Sequence, residues 1–126
     1  TRRSSDLFRL ACCAADRAVV VSTTDASALR DAQRTVSVLR NRIPRIHLVV
    51  NRVQPRLLRR LRTTIDDAMD AAGLPLLGIV PEDPQVMLCA NQGQPLILRA
   101  SRGAAVAYLN IAKRLLGQKA PLMKIR

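Results

Sequence analysis

Three short runs of this chain are apolar almost without interruption. They are Arg17–Ser22, which contains Ala-Val-Val-Val, then Ile46–Asn51, then Leu74–Val80. Runs of this length, rich in β-branched residues, predict strands buried on both faces, as in a parallel sheet. Around them the apolar residues recur at helical spacing. Ser4–Ala15 places Leu7, Leu10 or Ala11, and Ala14 on one face, with Asp6 in the first turn. Asp25–Arg40 aligns Leu29, Ala32, Val36 and Leu39 behind the N-cap candidates Thr23, Thr24 and Asp25. Leu57–Ala72 turns Leu58, Leu61, Ile65, Ala68 and Ala72 inward, and Gly73 suits the position just past a helix end.

After the third apolar run, Asp83 and Pro84 open a short helix that ends near Gly93. Gln94–Arg99 reads as an extended or turning link. Ser101 caps a last helix with Ala105, Tyr108 or Leu109, Ala112 and Leu115 inside, and Gly117 ends it. Strands alternating with helices predict an α/β fold with a parallel sheet of about three strands and flanking helices. Right-handed crossovers put the strands in the order Arg17–Ser22, Ile46–Asn51, Leu76–Val80. No repeat, low-complexity tract or linker divides residues 1–126, so one domain is expected. Three strands are few for a doubly wound sheet and the chain opens with Thr1, so it is expected to be a piece of a longer protein. The edge at Val19, Val20 and Val21 would then be open and prone to self-association.

Composition changes this picture in two ways. Apolar residues make up 48% of the chain but aromatics only 2%. The core must therefore be aliphatic, and stacking platforms for single-stranded nucleic acid are nearly absent. The net charge is +12. Between Ala32 and Ile65 there is no acidic residue, while Arg34, Arg40, Arg42, Arg45, Arg52, Arg56, Arg59, Arg60 and Arg62 all fall there. That field suits nucleic acid, an anionic membrane surface or phosphate ligands, and equally a plain solvated basic face. Cys12, Cys13 and Cys89 have neither disulfide nor metal-ligand spacing and read as reduced, buried small hydrophobes, a cytoplasmic pattern. No apolar run reaches membrane-spanning length.

The chemistry-bearing residues are sparse. There is no Gly-x-x-x-x-Gly-Lys-Ser/Thr loop and no Gly-x-Gly-x-x-Gly. The single histidine, His47, falls inside a predicted strand. Glu82 and Asp83 are adjacent, so at a strand end they point apart, and no catalytic residue is assigned. Asn51, at the carboxyl end of its strand, carries both a donor and an acceptor, as a purine edge requires. The neighbouring strand ends in Pro81-Glu82-Asp83-Pro84. Ligands of open α/β sheets bind beyond such strand ends. Taken alone, Asn51 is better explained as a turn or cap residue.

Several segments in order resemble the MinD family of the MinD/ParA group of deviant P-loop ATPases. They are Asp16–Thr24, Ser27–Arg34, Leu48–Val53, Leu76–Asp83, Asn91–Pro95 and Ala107–Gly117. One departure is Thr24-Asp25-Ala26, where the family usually has a Pro-Glu pair. The resemblance implies the C-terminal half of a Rossmann-like P-loop NTPase fold, with the phosphate loop and catalytic segments upstream. It implies an ATPase that places the division septum, dimerises with ATP and Mg²⁺, and cycles to the inner face of the cell membrane from the cytoplasm. It further implies recruitment of MinC, with MinE as a second partner. Carried over by residue, Asn51 reads the adenine edge with Arg52 beside it, and Pro81, Glu82 and Asp83 form the loop that meets the base. Ser27, Arg30, Asp31 and Arg34 lie on the helix facing MinC and MinE. This half alone is expected to hydrolyse no ATP. Other readings are a ParA-type ATPase that binds DNA, or a non-catalytic interaction module of the same fold. Pro121–Arg126 has the residues to open an amphipathic membrane helix but is too short for a stable one, so a frayed tail is expected.

Overall fold

The structure, a computed structural model, describes residues 2–122. Strands β1 (Arg17–Ser22), β2 (Arg45–Val53) and β3 (Leu76–Pro81) form one parallel sheet in the order β1-β2-β3. That is the order predicted from the apolar runs. The helices are α1 (Arg2–Ala14), α2 (Ala26–Leu39), α3 (Leu58–Ala72), α4 (Pro84–Asn91), α5 (Leu96–Arg99) and α6 (Ala104–Leu115), with a single 3₁₀ turn at Pro55–Leu57. The candidate tail segment Pro121–Arg126 lies largely outside the described residues.

The sheet separates two cores. On one face Val20, Ile46, Leu48 and Val50 pack with Ala32, Val36 and Leu39 of α2 and with Ile65 and Ala72 of α3. On the other, Val49, Leu77 and Val80 pack with Ala104 and Ala107 of α6. Gly78 lets α6 come close. A Cβ added there would lie 2.8 Å from Ile111 Cδ1 and closer still to its Cγ1. This close approach decides which face of α6 turns inward. Ala104, Ala105 and Ala107 are buried; of the predicted stripe Ala105 and Leu115 face inward, whereas Tyr108, Leu109 and Ala112 are exposed.

Caps place the helix ends. Asp25 is the N-cap of α2 and accepts a hydrogen bond from Ala28 N–H at 3.1 Å. Gly73 ends α3 at φ 65°, in the left-handed region that a glycine enters without strain. Four expectations need correction. Gln94–Arg99 is not all link, because its last four residues close the short helix α5. Ser101 does not cap α6. Gly103 is the N-cap residue, and the first N–H is taken by Asp83 instead. Helix α1 enters the core through Cys12, which leaves Leu7 and Leu10 outside at 64% and 67% exposure. Cys13, next on the helix, is therefore exposed and not buried.

Candidate functional site at the carboxyl ends of two strands

The end of β2 is not a simple stop. Val50 pairs with Ile79 and Val53 with Pro81, so Asn51 and Arg52 stand opposite Val80 alone. One extra residue on one strand is a bulge, and bulges re-aim side chains near functional sites. The predicted terminus at Asn51 is thus a bulge inside a strand that runs to Val53. Arg52 has φ 55°, the one positive φ outside glycine among the described residues. Two contacts hold it there. Its N–H donates to Asn51 Oδ1 at 2.9 Å, and its Nε donates to Glu82 Oε2 at 3.0 Å. Glu82 N–H in turn donates to the Val53 carbonyl at 2.8 Å, which ties the two strand ends together.

Asp83 builds the next part. Its Oδ1 accepts from Gln85 N–H at 2.9 Å, capping α4. Its Oδ2 accepts from Ala104 N–H at 3.1 Å, capping α6. One carboxylate therefore satisfies orphan donors of two helices and places its charge at both positive ends. Gly103 makes room for it. Its φ is 62°, and a Cβ there would lie 2.6 Å from Asp83 Oδ2.

These elements enclose a cavity of about 300 Å³. The structure brings all five predicted site residues, Asn51, Arg52, Pro81, Glu82 and Asp83, into its wall. Val86, Met87 and Ala90 of α4 and Tyr108 of α6 complete it. The volume is at the lower end of small-molecule pockets, enough for a flat heterocycle and little more. The apolar wall and the Tyr108 ring offer contact to the faces of a base. Asn51 offers its edge, since its amide retains the NH₂ donors and the oxygen has a second lone pair beyond the bond from Arg52. Glu82 and Asp83 divide the remaining work, one pairing with Arg52 and the other holding helices. Tyr108 and the α4 residues escaped the sequence reading. The signal was there in Tyr108 as the chain's single tyrosine, but its helical spacing also fitted a core stripe.

Residues 27–34 of α2 do not line this cavity. Ser27 Oγ donates to Asp25 Oδ2 at 3.0 Å and so belongs to the cap. Thr23 Oγ1 donates to the other Asp25 oxygen. The Thr23 hydroxyl, then the Ala28 amide and the Ser27 hydroxyl, hold the Asp25 carboxyl down at about 2, against the usual 3.8. Arg30, Asp31 and Arg34 are exposed, and Asp31 and Arg34 approach to 3.9 Å one turn apart. Among the described residues no group of three His, Cys, Asp or Glu side chains is placed to hold a metal ion. No helix among them is long and apolar enough to cross a membrane.

No protein-family model matches the chain. Among proteins of known name, the septum site-determining protein MinD of Bacillus subtilis is 38% identical over 118 residues, 91% of this chain and 44% of that protein. MinD of Synechocystis is 35% identical over 119 residues, 92% of this chain and 45% of its own length. Among solved structures, the MinC:MinD cell division protein complex of Aquifex aeolicus superposes with a TM-score of 0.84 at 29% identity, covering 94% of this chain and 49% of that chain. Over nearly its whole length the chain is similar to MinD proteins, and what it matches is their C-terminal half. It spans about half the length of the relatives it matches. The three-stranded α/β architecture is that of the MinD P-loop NTPases.

Proposed function

We propose that this chain is the adenine-side half of a MinD-type ATPase that takes part in placing the division septum. The observation that carries the reading is the 300 Å³ cavity beyond β2 and β3, with the bulged Asn51 on its wall beside Pro81 and Glu82. In this reading Asn51 bonds the adenine edge, Tyr108 and the α4 side chains cover its faces, and Arg52 and Glu82 close the rim as a pair. The phosphates of ATP and its Mg²⁺ belong to segments that this sequence does not contain. Base recognition alone gives weak binding, because anion-binding loops supply much of a nucleotide's affinity. The partner face is the exposed side of α2 with Arg30, Asp31 and Arg34. Its support is the MinC:MinD complex among the structural relatives. MinE, an ATP-bound dimer and reversible residence on the inner membrane face, from the cytoplasm, follow from the same family reading. The net charge of +12 favours one further reading, DNA binding of the ParA type, for which a steep fall of affinity with salt is the signature.

The test is a fluorescence titration with an adenine nucleotide, comparing the parent protein that carries this chain with its Asn51→Ala variant. Losing a donor–acceptor pair on a base edge weakens binding by about 1–3 kcal/mol, roughly five- to 150-fold. Unchanged affinity with an unchanged circular dichroism spectrum reduces Asn51 to a turn residue and removes the reading.

A further inference from the structure

A second, wider cavity of about 700 Å³ opens where β1 and β2 begin, at the end of the sheet away from Asn51. Its wall carries Arg17, Arg40, Arg45, Arg114 and His47, and no acidic side chain. Arg17 and Arg45 are register partners on β1 and β2. Their side chains therefore leave the same face of the sheet from backbones about 4.8 Å apart. Like charges directly opposite on neighbouring strands oppose pairing. The ion pairs of the described residues are Asp31–Arg34 and Arg52–Glu82, so none of these four guanidiniums meets a carboxylate there.

Three of the four are held by backbone carbonyls instead. Arg17 donates to Leu115 O at the end of α6, and Arg40 donates to Ala72 O at the end of α3. Arg114 donates to Leu76 O at 3.1 Å and to Ala120 O at 3.3 Å. Carbonyls occupy some of a guanidinium's five donors but leave its full charge uncompensated. They also fix the forks before a ligand arrives, which lowers the ordering entropy of binding. His47 leaves β2 on the same face as Arg45, and its Nδ1 is buried with no hydrogen-bond partner among the described residues. Fixed, unpaired guanidiniums around a cavity match a multiply charged oxyanion. A carboxylate brings one negative charge, whereas a phosphate group brings up to two and presents oxygens in pairs to each fork.

We propose that this cavity is an anion site that takes a phosphate-bearing ligand, separate from the adenine pocket and independent of it. The experiment is isothermal titration of the chain with inorganic pyrophosphate at low and high salt, with vesicles of phosphatidic acid in phosphatidylcholine as a second arm. Saturable pyrophosphate binding is expected, weakened about tenfold by Arg45→Gln or by Arg17→Gln, the scale of one lost charge-assisted contact. Arg59→Gln, an exposed arginine on α3, and Asn51→Ala should leave it unchanged. Binding of the vesicles alone, with the same dependence on Arg45, assigns the phosphate to a lipid headgroup and supports the site. Absence of saturable binding to either probe, or equal weakening by Arg59→Gln, shows only diffuse charge and overturns it. Because Arg45 is exposed, its variant tests the site without disturbing a core, and circular dichroism of each variant checks the fold.

Discussion

Replacing Asp83 by Ala should loosen two helices at once. In the native chain its two oxygens accept from Gln85 N–H and Ala104 N–H at 2.9 and 3.1 Å. An N-cap lost to Ala removes about 1 kcal/mol of stability, within a range of roughly 0.5–2. Two caps on one side chain therefore predict a loss of about 2–3 kcal/mol. For a chain of 126 residues the unfolding entropy is about 0.26 kcal/mol/K, so the melting temperature should fall by about 10 °C. Asp83→Asn provides one oxygen and turns an NH₂ toward the other donor, so it should keep one cap and lose about half as much. Gly103 offers a further control. Gly103→Ala meets two penalties, its left-handed φ and a contact of 2.6 Å with Asp83 Oδ2, and the second vanishes once Asp83 is Ala. The double variant should thus be less unstable than the sum of the singles, by about 1 kcal/mol. Urea unfolding followed at 222 nm measures the native chain and all four variants. A loss below about 0.5 kcal/mol for Asp83→Ala, or strict additivity with Gly103→Ala, would refute the shared cap.

Three further outcomes are expected. Because its folded pKa lies below 3.8, Asp25 contributes stability that is complete above that value and is lost as pH falls toward about 2. Asp25→Asn should flatten the acid limb of the stability profile between roughly pH 5 and 2, and an unchanged limb in urea melts would show that the cap does not titrate. Gly78→Ala drives a methyl into Ile111 and should destabilise by about 1–3 kcal/mol, with Ile111→Ala recovering part of the loss in the same background. No coupling between the two sites in thermal melts would place the contact elsewhere. Asp31→Arg should weaken MinC binding in a pull-down or titration while leaving stability within about 0.5 kcal/mol, since its pair with Arg34 is exposed; unaltered MinC affinity counts against α2 as the partner face.

The strands were legible because nothing competed with their signal. Val19–Val21, Leu48–Val50 and Leu77–Val80 are short and aliphatic, the pattern of a parallel strand, but β1 is buried on one face only, because Val19 and Val21 are 40% and 59% exposed on the other. Helix faces were less legible where packing distance decides them. The spacing of α6 allowed Tyr108 and Leu109 inward, but the close approach at Gly78 seats Ile111 on the sheet with Ala104 and Ala107, and that turns Tyr108 and Leu109 outward. That glycine lies about thirty residues away in sequence, and no local pattern announces it. In the same way Asp83 was visible as the cap of α4, next to it in the chain, and invisible as the cap of α6. Ser101 was the local candidate for that second cap, and a carboxylate arriving from another element displaced it.

The bulge at Asn51 and Arg52 is where local structure and the proposed function meet. Val50 and Val53 both remain in the ladder, so pairing alone gives β2 no reason for an extra residue. That residue leaves Arg52, a side chain with a Cβ, at φ 55°, a conformation of order 1–2 kcal/mol above the right-handed one. Such backbone persists only where its surroundings over-determine it, and these conformations cluster at sites that bind or react. Here the surroundings are the Asn51 oxygen on the Arg52 amide and Glu82 on its guanidinium, both at the cavity rim. The exposed ion pair contributes about 0–1 kcal/mol and does not offset the strain by itself. A regular strand would project consecutive side chains to opposite faces of the sheet. The bulge brings Asn51 and Arg52 to the wall of one cavity instead, where Arg52 pairs with Glu82. A turn-only role for Asn51 accounts for the hydrogen bond to Arg52 but not for the extra residue, which the proposed base recognition would require.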